Sequence, residues 1–114
     1  MEVHPRELII YETAQGKAPF SEWLDSLRDR SARARIRKRL DRIELGNLGD
    51  YEAIGEGVYE LRIDYGPGYR LYYANVSVTI VLLLCGGDKD TQIGDIDRAI
   101  QFWNDFNQRK DANE

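Results

Sequence analysis

Arg62, Asp64, Tyr65, Arg70, Tyr72 and Lys89 lie close together in the middle of the chain, and their types suit one kind of chemistry. Arginine is permanently charged and forks onto phosphoryl oxygens. Guanidinium groups set around a phosphodiester therefore stabilise the charge that grows when a 2′-hydroxyl attacks the adjacent phosphorus. A general base must take the 2′ proton, and an acid must protonate the leaving 5′ oxygen. With no histidine near this set, Lys89, Asp64 or a tyrosine must fill those roles. The competing reading is a wet sheet face on which Arg62 and Arg70 pair with Glu60 and Asp64, with Lys89 an ordinary loop lysine; such pairs contribute little.

Other chemistries find no support. There is no Ser-His-Asp set, no glycine loop that would cradle phosphates ahead of a helix, and no cluster with metal-ligand spacing, so no cofactor or metal is expected. The one histidine, His4, stands alone near the N-terminus. Cys85 closes an apolar run and reads as a small buried hydrophobe rather than a nucleophile. The longest apolar run, Ile80 to Cys85, is far short of a membrane span, and the N-terminus lacks the regions of a signal peptide. A cytoplasmic protein without membrane contact is expected.

The elements that must position these residues follow from periodicity and turn chemistry. At 114 residues the chain suits one domain, expected over residues 1–108, with a disordered tail at 109–114. Arg6 to Thr13 reads as a first strand. Pro19 to Leu27 reads as a helix capped by Ser21, with Trp23, Leu24 and Leu27 facing inward. A second helix starts at Asp29 or Ser31 and ends before Gly46, with Ala32, Ile36, Leu40 and Ile43 on its apolar face. The two helices are expected to form an antiparallel hairpin. Asn47 to Gly57 reads as a loop with room for a brief extended piece.

A three-stranded antiparallel meander follows, burying one face and carrying arginines on the other. Its first turn is Tyr65-Gly66-Pro67-Gly68-Tyr69, and pairing Tyr65 with Tyr69 sets Ile63 against Leu71 and Asp64 against Arg70. Val78 to Cys85 is the last strand, ended by Gly86-Gly87. Thr91 caps a final helix whose stripe is Ile93, Ile96, Ala99, Ile100, Trp103 and Phe106. The fold class is α+β, in the order β-α-α-β-β-β-α.

Charge is segregated along the chain. Between Arg28 and Arg42 eight basic residues face only Asp29 and Asp41, a balance of +6 within a total of -4. A localised basic face of that kind meets a polyanion or is simply solvated; both readings apply to Arg33, Arg37 and Arg42.

The element order, together with Glu60-Leu61-Arg62-Ile63, Tyr65-Gly66-Pro67-Gly68-Tyr69-Arg70 and Leu83-Leu84-Cys85-Gly86-Gly87-Asp88-Lys89, resembles the RelE/ParE superfamily of bacterial type II toxins. The resemblance is to its HigB-like, phage-derived addiction module killer branch and extends from about Ile10 to Phe106. It implies a RelE-like fold and a ribosome-dependent, metal-free mRNA endonuclease, or mRNA interferase, that inhibits translation. The implied partners are the ribosome and mRNA, and a cognate antitoxin, often a helix-turn-helix protein, through which alone operator DNA is reached. Arg62 and Arg70 match the arginines that would hold the scissile phosphate, and Lys89 matches a catalytic or substrate-orienting lysine. Arg33, Arg37 and Arg42 would contact ribosomal RNA, and Tyr65 and Tyr72 would line the substrate face. Relatives often carry histidine where this chain has Asp64, which makes Asp64 either a base or the mark of an attenuated toxin. The same superfamily hosts ParE-like inhibitors of DNA gyrase that cleave nothing, and a decayed toxin acting only in an autoregulatory antitoxin complex is the third alternative.

Overall fold

The computed structural model describes residues 5–113; His4 lies outside them. It is an α+β fold of three helices and one five-stranded sheet. The strands are β1 (Glu7–Ile10), β2 (Tyr51–Gly55), β3 (Val58–Ile63), β4 (Tyr69–Asn75) and β5 (Ile80–Gly87). The helices are α1 (Pro19–Ser26), α2 (Arg30–Glu44) and α3 (Gln92–Ala112). Strand order across the sheet is β1-β5-β4-β3-β2; β1 runs parallel to β5, and every other pair is antiparallel. The sheet is thus mixed, and the brief extended piece within 47–57 is β2, an edge strand of the sheet.

Helices cover both faces. α1 and α2 bring Phe20, Leu24, Ala32, Ile36 and Ile43 onto Leu61, Ile63, Tyr69, Leu71, Tyr73, Val81 and Leu83. α3 lays Ala99, Ile96, Ile100, Trp103 and Phe106 over Tyr11, Val58, Tyr72, Ala74, Leu82, Leu84 and Cys85. The meander therefore does not have one wet face: its arginine-bearing side is roofed by α3 along most of its length. Ile93, expected on the α3 stripe, is 82% exposed: the first turn of α3 meets the sheet through Gln92, bonded to Glu60, and through buried Asp95. α1 and α2 pack chiefly on the sheet rather than on each other as a hairpin.

Local chemistry explains the element ends. Pro19 opens α1 at a position where its missing N–H costs nothing, and Ser21 lies inside the helix, so Ala18 rather than Ser21 is the cap residue. Asp29 caps α2, accepting from the N–H groups of Ser31 and Ala32 at 2.9 and 3.2 Å. Thr91 stands at the N-cap of α3, but its hydroxyl donates to the Asp95 side chain and accepts from the N–H of Asp88 at 3.2 Å rather than from an N–H of the helix's own first turn. α3 continues through residues expected in a tail, where Arg109 bonds Asp105 and the carbonyl of Glu12.

The β3–β4 hairpin pairs Ile63 with Tyr69, Arg62 with Arg70 and Leu61 with Leu71. This is two residues away from the expected register, because the connection is the five-residue loop 64–68, closed by bonds from Tyr65 N to Ile63 O and from Gly68 N to Tyr65 O. Gly86 and Gly87 belong to β5 rather than ending it. A Cβ on Gly86 would stand 2.3 Å from the Trp23 ring, and one on Gly87 would stand 1.8 Å from an Asp95 carboxylate oxygen. The two glycines let α1 and α3 close on opposite faces of the same strand end.

Candidate functional site

Arg62, Asp64, Arg70 and Lys89 line one cleft of about 320 Å³, together with Asp50, Ile63, Gly68 and Tyr69. Three elements meet there. β3 and β4 present Arg62 and Arg70 directly opposite one another, and Lys89 follows β5 in the turn before α3. Asp88 fixes that turn: its side chain accepts from the N–H of Asp90 at 2.9 Å and of Thr91 at 3.2 Å, so it is occupied by backbone.

Two guanidinium groups facing each other across a ladder repel unless an anion lies between them. Glu60, fully buried, supplies it. One of its oxygens stands 3.1 Å from Arg62 Nε and 3.6 Å from Arg70 Nε, while the other accepts from Gln92 Nε2 at 2.8 Å. The exposed Glu52 on β2 makes a second ion pair with Arg62. The hydrogen bond to Glu60 and the charge of Glu52 hold the Arg62 guanidinium above its ordinary pKa. Arg70, with 15% of its side chain exposed, keeps a buried Nη1 without a protein partner, so its donors are not used up.

Tyr72, expected on the substrate face, is fully buried. Burial and then the Glu60 charge push its phenol far above the ordinary value, so it acts on the site from beneath and is no base. Tyr65 faces the other side of the sheet, where its hydroxyl donates to Asp29 at 3.2 Å and its ring carries the Arg35 guanidinium 4.3 Å above its centre.

α2 lines a second cleft, of about 210 Å³, formed by Arg35, Lys38, Arg39, Arg42, Ile63 and Asp64. Of the three α2 arginines singled out from sequence, Arg42 is here. Arg37 is exposed elsewhere, and Arg33 donates to the carbonyl of Leu27. Arg35, Lys38 and Arg39 were missed, although positions 35, 39 and 42 follow helical spacing on one face, the signal that finds them. Arg39 is structural as well: it donates to the carbonyls of Arg62 (2.9 Å), Leu48 (3.2 Å) and Asp50 (3.1 Å). Burial lowers its pKa from the ordinary value. Glu60, Glu52 and Gln92 were also missed as site residues, Glu60 because an alternating strand gives no sign that its polar side is roofed.

Residues 22–102, which include both clefts whole, match the family model Phage derived protein Gp49-like (DUF891). The chain belongs to the Gp49-like family. This phage-derived family is toxin-like and of the addiction-module kind. The Gp49-like chain is also 48% identical over 80 residues to an uncharacterized protein of Haemophilus influenzae, an alignment that covers 70% of this chain and 81% of that relative. No helix among the described residues is long and apolar enough to cross a membrane.

Proposed function

We propose that this Gp49-like protein is the toxin of a type II toxin-antitoxin system, of RelE/ParE type, and that it cleaves mRNA on the ribosome without a metal. The observation that carries the reading is the convergence of Arg62, Arg70, Lys89 and Asp64 on one cleft. A gyrase inhibitor that cleaves nothing does not need this convergence.

In the proposed reaction the scissile phosphate lies between Arg62 and Arg70, whose forks meet the negative charge of the pentacoordinate state. Asp64, exposed and without an ion pair among the described residues, takes the proton of the 2′-hydroxyl. The 2′ oxygen attacks phosphorus, the bond from phosphorus to the 5′ oxygen breaks, and Lys89 gives that oxygen its proton. A 2′,3′-cyclic phosphate and a free 5′-hydroxyl result. Arg62 exchanges its exposed partner Glu52 for the phosphate and retains buried Glu60. The proposed partners are the ribosome, mRNA and an antitoxin that covers the cleft, with operator DNA reached through the antitoxin, and the proposed compartment is the cytoplasm.

Purified protein with programmed ribosomes and chelator tests the reaction. The expected products end in 2′,3′-cyclic phosphate, and Arg70→Ala lowers the rate about 10²- to 10³-fold. Products ending in a 3′-hydroxyl, or an unaffected Arg70→Ala variant, contradict the proposal.

A further inference from the structure

The two basic clefts are neighbours. Ile63 and Asp64 line both, so the end of β3 and the residue after it form the septum between them. The cleft on α2 is the more positive: four cations and a single carboxylate line it, against three cations and two carboxylates in the sheet cleft. Arg39 joins the two rigidly, since it lines the α2 cleft and holds the backbone carbonyls of Arg62 and Asp50, both residues of the sheet cleft. Arg35 is held over the Tyr65 ring, while Lys38 and Arg42 have no ion pair among the described residues. A carboxylate flanked by two anion-attracting clefts has one natural complement: a sugar flanked by two phosphates.

We infer that the α2 cleft is a phosphate subsite for the same single RNA strand, holding the phosphate on the 5′ side of the ribose that Asp64 faces. The inference rests on the endonuclease reading and gives it a direction. The attacking 2′-hydroxyl belongs to the ribose on the 5′ side of the scissile phosphate, so a base at Asp64 requires the preceding phosphate to lie across the septum from Arg62 and Arg70. The strand then enters over α2 and leaves past Lys89. Lys38 and Arg42 bind there through charge, and Arg39 keeps the subsite in register with the sheet.

The test is a cycle that pairs a protein change with a substrate change. The probe is a short RNA with 2′-deoxyribose at the attacked position, carrying either a normal or a neutral methylphosphonate linkage one step upstream. Affinity for the full-length protein is measured against salt concentration. Neutralising the upstream linkage is expected to weaken wild-type binding and to make the slope of log affinity against log salt shallower by about 0.7, the value for one single-strand phosphate. Lys38→Ala with Arg42→Ala is expected to weaken binding of the normal RNA and to cost nothing further on the neutralised one. Both side chains are free of ion pairs among the described residues, and circular dichroism checks that the variant is folded. Additive losses, or a loss that follows a downstream methylphosphonate instead, overturn the inference. If the double variant binds like wild type while Arg70→Ala does not, the subsite fails and the nuclease reading stands. If Arg70→Ala also binds like wild type, both fail.

Discussion

Glu60 decides whether the arginine pair can exist. Its carboxylate is buried between Arg62, Arg70 and Gln92, so it offsets a repulsion that β-pairing imposes and ties the sheet to the first turn of α3. Removing one partner of a buried ion pair leaves the other charge uncompensated. Arg62 is 43% exposed and keeps Glu52, so the loss falls on Arg70, and Glu60→Ala is expected to lower the unfolding free energy by about 1–3 kcal/mol, read from urea denaturation. A loss below 1 kcal/mol would show that the guanidinium groups need no buried anion. Glu52 is the contrasting case, 58% exposed and paired with the same Arg62. Exposed pairs contribute roughly 0–1 kcal/mol, so Glu52→Gln is expected to leave stability nearly unchanged. The same change frees Arg62 for an external anion and is expected to tighten RNA binding. Weaker binding by that variant would mean that Glu52 orients Arg62 rather than competing for it.

At the scale of elements, the glycine pair of β5 sets how closely α1 and α3 approach the strand end that leads to Lys89. A methyl on Gly86 meets the Trp23 ring, so Gly86→Ala is expected to cost about 1–3 kcal/mol by overpacking. A crystal structure of the variant is expected to show Trp23 displaced; an unmoved ring with full stability would refute the packing argument. Most elements were legible from periodicity, because α1, α2 and the core of α3 carry apolar stripes and β3 and β4 alternate. The hairpin register was not. A two-residue slip keeps every side chain on its proper face, so alternation cannot distinguish Arg62 opposite Arg70 from Asp64 opposite Arg70. β2 was legible only as a brief extended piece of a loop, because it is an edge strand with mostly exposed side chains, held by backbone pairing to β3 that leaves no apolar pattern. The parallel seating of β1 beside β5 depends on contacts distant in sequence. The site residues on the strands were named from type and resemblance, but their convergence with Lys89 required the fold.

The whole molecule places its cationic segment beside the sheet cleft while the remainder of the chain is acidic, which concentrates the attraction for a polyanion on one side. Its interior also fixes an alkaline limit. Burial raises the Cys85 thiol from 9.0 to about 12. Burial and then Asp105 raise Tyr11 from 10.0 to about 12. Folding favours the protonated form of both groups, so their contributions are whole below the unfolded values and are lost as pH climbs through this window. Urea midpoints are expected to fall between pH 9.0 and about 12, and Cys85→Ala is expected to flatten the fall at its lower end, below the ordinary tyrosine value of 10.0. An identical pH dependence in that variant would exclude the thiol as its source.

We propose Arg62, Arg70, Lys89 and Asp64 as one RNA-cleaving site in a toxin. Induced expression without an antitoxin, with transcript 5′ ends mapped for wild type and Arg70→Ala, tests it most directly. Growth arrest with cuts in translated mRNA is expected, both abolished by the substitution. Arrest without new 5′ ends, or arrest that survives Arg70→Ala, would contradict it.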